Sequence, residues 1–336
     1  DDPIGMAPSP ANIWNGIHCN AGFAFLDPLR GQDNLQIVGD AQVHRVVLEG
    51  NRAVAVEVRH AGLLRTIQAG TVVIAGGTYN SPEVLLRSGI GPADDLRALG
   101  IDSSLNLPGV GRNLHDHPAI YLELTGSDAM KGACSAWAET HWMPEEQTIA
   151  KLRSNQTTEA FDIHIYPEGG PYAENRTQWD FTIPVSCMTP RSRGSLRLRS
   201  ANPDDGLIID HNYLGDPDGH DLAVLVDGFR IARQLIAEAN RDGLLGIEFS
   251  PGPDADDDSS VRTWIGNHVH HYFHAAGTCK MGPSDDGEAV VDARGKVHGV
   301  DGLYVADCAI MPQVPRANTN IPAAMVGVRI GQWLAG

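Results

Sequence analysis

The chain of 336 residues has no compact Lys/Arg block, no CxxC pair and no apolar run of membrane-spanning length. Each absence excludes something. With 25 basic against 42 acidic side chains, the formal charge of −17 repels phosphate backbones and anionic lipid, which argues against nucleic acid as a partner. The cysteines, Cys19, Cys134, Cys187, Cys279 and Cys308, are odd in number and scattered, which fits a reducing compartment better than a disulfide framework. Cytoplasm is the expected location. The lack of a long apolar run argues against a membrane span. The opening DDPIGMAPSP has neither an initial Met nor the basic and apolar segments of a signal peptide, so residue 1 is expected not to be the start of translation.

What is present is ample material for a core, since 42% of residues are hydrophobic and 20% charged, enough for one large domain or two ordinary ones. Short β runs open the chain: LQIV at 35 to 38, then VHRVVLEGNRAVAVEV, a hairpin turning at Gly50-Asn51. TVVIAGG at 71 to 77 is a continuous apolar run ending on two glycines, the pattern of a strand buried on both faces where it meets a ligand or a close backbone. Ser81 is then expected to cap a helix that begins at Pro82 and closes at Gly89, and a further helix spans about 93 to 99. Between about 119 and 265 the alternation of Phe161, Ile163 and Ile165, of Leu196 and Leu198, and the run GLIIDHNYL predict an antiparallel sheet. A long amphipathic helix at 219 to 239 follows, with Leu222, Leu225, Val226, Phe229, Leu235 and Ile236 on one stripe. The acidic run DADDDSS feeds another helix N-terminus. DGLYVADCAIMP then reads as a strand ending at Asp307, and NTNIPAAMVGVRIGQWL as a final helix.

The segment HVHHYFHAAGTCKMG gathers His268, His270, His271 and His274. Zinc is the first chemical reading, since His270 and His274 are four apart with Cys279 near, but there is no HExxH glutamate and no paired Cys/His spacing. His268, His270 and His271 read as surface or satisfied histidines. His274 stands apart through its context, with Phe273 before it and AAGTCKMG after it.

Several blocks together resemble the glucose-methanol-choline (GMC) family of flavoprotein oxidoreductases. HAAGTCKMG is similar to the family's H-P-x-G-T-x-x-M-G, with Ala275 in the proline position, and DGLYVADC followed by NTNIP resembles its D-G-L-x-V-x-D and N-T-N-x-P blocks. GGTYNSPEVLLRSGIGP, LPGVGRNLHDHP, NLQIVGDAQVHRV and PRSRGSLRLRS match in order, so the likeness runs from about residue 12 to the end. The resemblance implies an α/β fold (α+β overall). Part of an FAD-binding Rossmann-like domain occupies 1–118, its first 30 or so residues partly on the substrate side. An antiparallel-sheet substrate domain occupies 119–299 and ends in the His274 block, and 300–336 return to the FAD-binding domain.

It further implies oxidation of an alcohol by hydride transfer to flavin N5, with His274 as base and Asn318 hydrogen-bonded to the substrate oxygen; from its position alone, Asn318 is equally the cap of the last helix. Carried over as FAD contacts are Val43 on the adenine side, Ala75 and Gly76 at the strand end, Phe273, and Asp307, Cys308, Thr319 and Asn320 near the ring system. His115 and His117 read as loop-structuring groups, and no metal is expected. The expected partners are a small-molecule alcohol and an oxygen or quinone-type electron acceptor; polyols, aryl alcohols and choline-like cations stay open.

Dinucleotide-binding folds place a G-x-G-x-x-G turn between a strand and a helix, and the nearest segment here, GVGRNL at 109 to 114, follows no buried strand and has Leu114 in the third glycine position. The expectation is therefore a C-terminal portion of a GMC enzyme, with the pyrophosphate turn supplied by a missing N-terminal segment or a second chain, and weak FAD binding by this chain alone. The alternatives are a flavin-containing enzyme of the hydroxynitrile-lyase type and an inactive fragment or subunit.

Overall fold

Alternating apolar side chains generate most of the strands, and their pairing partners decide which alternations become sheet. The computed structural model describes residues 4–141, 148–158, 160–170 and 180–336. Its α-helices are α1 (Gly77–Arg87), α2 (Ala93–Ala98), α3 (Asp128–Ala138), α4 (His220–Arg241), α5 (Asp258–His268) and α6 (Asn320–Ala335). Contacts divide the chain into two compact units: Asp1–Ala24, His117–Ser192 and Tyr213–Tyr272 form the first, and Phe25–Asp116, Arg193–Asn212 and Phe273–Gly336 the second.

The first unit is built on an antiparallel sheet in the order Gly5–Pro8, Thr148–Leu152, Ile163–Ile165, Asp180–Cys187, Ala119–Gly126, Leu245–Ser250. Ile163 lies opposite Cys187 and Leu122 opposite Ile183, so one face of the sheet is aliphatic. Helices α4 and α5 close that face, with Leu225, Val226, Phe229 and Ile265 packed against Ile120, Leu124, Ile163 and Val185. Leu235, expected on the same stripe, is 37% exposed. The acidic run does start a helix: Asp257 accepts the Ser260 N–H at 2.7 Å while the Ser260 hydroxyl accepts the Asp257 N–H, a reciprocal cap for α5.

The second unit contains a three-stranded meander, Ala41–Glu49, Arg52–His60 and Leu63–Gln68, in which the first two strands are the expected hairpin. Residues 35–38 form no strand; Ile37 and Val38 are about half exposed, because the alternation there meets no partner. Strand Val72–Ile74 pairs in parallel with Leu303–Val305. Val72 and Ile74 are buried but Val73 is 44% exposed, so this strand is covered on one face rather than both. Helix α1 begins at Gly77, earlier than expected, with Pro82 inside it and Ser88 as its C-cap. The ladder Ser195–Arg197 with Ile208–Asp210 stands apart from the large sheet, and Leu196 and Leu198 join the second unit's core beside Leu85, Val110 and Leu303. That packing is why 193–212, and with it 273–299, groups with the second unit rather than with the stretch read from the sequence as a substrate domain. No helix among the described residues is long and apolar enough to cross a membrane.

Phe229 is 2% exposed, 5.9 Å from the Trp264 ring and 4.8 Å from the Arg233 guanidinium, so its removal leaves a cavity that the sheet cannot close. Phe229→Ala is expected to lower unfolding stability by about 3 to 5 kcal/mol in urea titrations. A loss under about 1 kcal/mol would show that the first unit is not organised around this helix face.

Candidate functional site

The parallel strands Val72–Ile74 and Leu303–Val305 of the second unit end at neighbouring polar corners. Val72–Ile74 runs into Ala75, Gly76 and α1, and Leu303–Val305 runs into Ala306, Asp307 and the short 3-10 turn Cys308–Ile310. The Ala306 N–H donates to the Ile74 carbonyl at 2.9 Å, which carries the pairing past the last strand residue. Asp307 then fastens the corners with its side chain. Its Oδ2 accepts the Gly77 N–H at 2.9 Å and the Ser81 hydroxyl at 2.5 Å, and its Oδ1 accepts the Ala309 N–H at 2.8 Å. Ser81 is therefore not the cap expected from the sequence: its hydroxyl oxygen accepts the Gly76 N–H at 3.0 Å while its proton goes to Asp307. A carboxylate at the start of α1 also matches the positive end of the helix dipole.

The segment after His274 lies against the same corner. Gly277, Cys279 and Met281 donate their N–H groups to the carbonyls of Cys308, Ala309 and Ile310 at 3.2, 2.7 and 2.8 Å. Thr78 Oγ1 donates to the Ala275 carbonyl at 2.6 Å, and Thr278 Oγ1 to the Thr78 carbonyl at 2.5 Å. His274 is 6% exposed, and its N–H donates to Asp116 Oδ1 at 2.9 Å. Burial pushes its imidazole down to about 4, so the ring is neutral through the physiological range.

The NLHDHP loop supplies the remaining fastening. Asn113 Nδ2 donates to the carbonyls of Gly277 and Pro312, at 3.2 and 3.3 Å. His115 Nδ1 lies 2.6 Å from the Asn113 carbonyl and its Nε2 accepts the Val314 N–H at 2.8 Å, a pattern that only the neutral Nδ1–H tautomer satisfies. Burial first, and then the Arg193 charge, holds this ring near 4 as well. Gly277 has φ +94, and a Cβ there would sit 2.4 Å from His115 Cε1, so the Gly of HAAGT is demanded by both conformation and space. Asn113, Asp116, Thr78 and Thr278 were not singled out from the sequence, although the density of polar groups in GRNLHDHP was the available signal.

Of the residues singled out, Gly76, Asp307, Cys308 and the His274 segment meet at this corner through the bonds above, and Ala75 lies between Ile74 and Gly76 in the same turn. Val43 is 42% exposed and lines, with Ala75 and Gly76, a cavity of about 520 Å³ whose other walls include Val56, Ile74 and Asn80. Phe273 is 79% exposed with φ +61, a left-handed conformation uncommon for an aromatic residue. Thr319, not Asn318, is the N-cap residue of α6, and it makes no side-chain capping bond. Thr319 is buried, whereas Asn318 and Asn320 are exposed. Since α5 ends at His268 and Val269 is extended, His270 and His274 do not share a helix face, and the spacing that suggested zinc has no geometric meaning.

The model of the N-terminal domain of GMC oxidoreductases matches residues 3–119, and that of the C-terminal domain matches residues 190–327. The first match does not support the expectation of a C-terminal portion that lacks the N-terminal dinucleotide-binding fingerprint. An oxygen-dependent choline dehydrogenase of Brucella anthropi is 35% identical over 99% of this chain and 64% of its own length, and one of Sinorhizobium fredii is 31% identical over 96% of this chain. The chain thus spans less than two thirds of these relatives. The solved structure of pyridoxine 4-oxidase from Mesorbium loti superposes with a TM-score of 0.85 at 26% identity, covering 100% of this chain and 65% of that one. A fungal aryl-alcohol oxidase, at 22% identity and a TM-score of 0.77, shares the fold. The fold class is accordingly mixed α/β, with antiparallel sheets and a Rossmann-like FAD-binding architecture. Two domain models in the family's order, on a scaffold that superposes over the whole chain, make this protein a member of the GMC oxidoreductase family.

Proposed function

We propose that this chain contributes the alcohol-oxidising site of an FAD-dependent oxidoreductase, with His274 as proton acceptor and Asn318 as hydrogen-bond donor to the reacting oxygen. FAD is the cofactor of the family. The residues present fit one end of it: the cavity beside Val43, Ala75 and Gly76 has flat aliphatic walls at Val56 and Ile74 for a purine face and amides at Gln42 and Asn80 for polar edges. Thr319, Asn320, Phe273, Cys308 and the main chain at Asp307 would face its ring end. Bound FAD supplies a hydride acceptor at N5.

The observation that carries the reading is a buried, neutral imidazole whose own main chain is fixed to Asp116 and whose following residues are bonded to the 308–310 turn. A base must be unprotonated and must not wander, since a displacement of about 1 Å can cost on the order of 100-fold in rate. His274 meets both needs. A ring held near 4 is a weak acceptor at rest, but negative charge growing on the alcohol oxygen raises its proton affinity as transfer proceeds. The Asn318 carboxamide, exposed and two residues ahead of α6, is a hydrogen-bond donor of the kind that oxygen needs as its charge grows.

His274→Ala in the FAD-loaded protein is expected to retain flavin absorbance and lose its bleaching by alcohols, while His115→Gln, which keeps one donor and one acceptor, keeps bleaching near the parental rate. Parental rates of bleaching in His274→Ala would refute the base assignment. The same base predicts the acid side of the pH profile. Because the folded ring stays neutral down to about 4, kcat/KM should hold through pH 6 and fall only as pH drops through the region of that value. An acid limb centred near 6.5, the value of an unperturbed imidazole, contradicts it. Running both series with an oxygen electrode and with a quinone dye identifies the electron acceptor.

A further inference from the structure

The first unit holds a group of side chains that the oxidation chemistry does not use. Cys187 is the last residue of strand Asp180–Cys187, and His220 and Asp221 are the first two residues of α4. One sulfur, one imidazole nitrogen and one carboxylate oxygen from these residues all lie within 4.8 Å of one another. Cys187 and Asp221 are 0% exposed and His220 is 9% exposed.

Each donor is already oriented. The two oxygens of Asp221 accept the N–H groups of Arg191 and Ser192 at 2.8 and 2.9 Å, the outer-shell support that metal-binding carboxylates have. The His220 main-chain N–H donates to Asp216 Oδ2 at 2.6 Å, and its Nε2 lies 3.5 Å from Thr189 Oγ1, too long for a firm hydrogen bond. The Asp221 carboxylate has no Lys or Arg partner among the described residues; the neighbouring Arg191 guanidinium turns instead to Asp218 at 3.5 Å. Burial and the adjoining carboxylate charge both push the Cys187 thiol up. As a cap on the 191–192 turn, Asp221 accounts for its own position, but not for a thiol and an imidazole converging on the same carboxylate.

We propose that Cys187, His220 and Asp221 bind one Zn²⁺ per chain, with a water or the Thr189 hydroxyl completing a four-coordinate shell. Sulfur, imidazole and carboxylate are the donor types zinc takes, and three protein ligands with one open position is a known zinc arrangement. The charges balance: the thiol proton leaves to solvent on binding, and the +2 ion then faces one thiolate and one carboxylate. Entry would be from the surface beside the exposed Asp218 and Gly219, next in the chain to His220. The ion would join the end of a central strand to the start of the helix that covers it.

Cobalt(II) reports thiolate ligation directly through a near-ultraviolet sulfur-to-metal charge-transfer band. Titrating the chelator-treated protein with cobalt should raise this band to saturation at one equivalent, and one equivalent of zinc should abolish it. Cys187→Ser should lack the band, His220→Ala should weaken cobalt binding by more than ~10-fold, and Cys308→Ser should match the parent. No band at one equivalent, or a band unchanged in Cys187→Ser, overturns the proposal. Should Cys187→Ser not fold, the His220→Ala titration decides alone, and parental cobalt affinity in that variant overturns it.

Discussion

One buried carboxylate holds the corner on which the site depends. Asp307 accepts hydrogen bonds from the Gly77 N–H, the Ser81 hydroxyl and the Ala309 N–H, and so ties the end of one parallel strand and the first turn of α1 to the turn that follows the other strand. Strand pairing alone would leave these corners free to splay, because ladder bonds cease where the strands stop. A single side chain with two acceptor oxygens closes the gap at the carboxyl ends of a parallel pair, where α/β folds place their ligands. The His274 segment inherits this order, since it lies along the 308–310 turn by three main-chain bonds.

The second layer of fixing comes from the 113–116 loop, which works almost wholly on main chain. Asn113 spans two carbonyls, His115 bridges its own loop to Val314, and Asp116 takes the N–H of His274 itself. The candidate base is fixed through its own main chain. The same economy appears at Gly277, where only the absence of a Cβ lets the chain pass His115. A neutral imidazole at each of two buried places, one structural and one proposed as reactive, follows from a common cause, desolvation, with different partners deciding the roles.

Much of this was legible from residues. The hairpin at Gly50-Asn51, α2, α4, α5 and α6 follow from period and caps, and the family blocks located His274 and the Asp307 corner. What was not legible has a shared reason, namely dependence on a distant partner. LQIV has the look of a strand but finds no neighbour, and Ser81 has the look of a cap, yet its hydroxyl donates to Asp307, 226 residues away. Leu196 and Leu198 alternate as expected, yet nothing local says that they pack with Leu85 and Val110 rather than with the large sheet. The Cys187, His220 and Asp221 group was equally hidden, since a strand end and a helix start meet only in the folded unit.

The central claim is that the Asp307 carboxylate and the Ser81 hydroxyl act as one brace. A double-mutant cycle of Asp307→Ala and Ser81→Ala, read by urea unfolding, measures that coupling without reference to activity. The account predicts that each single change costs about 1 to 3 kcal/mol and that the pair couples by about 1 kcal/mol or more, the second loss being small once the first is made. Strictly additive losses, or single losses within about 0.5 kcal/mol, would mean that the corner is held by something else.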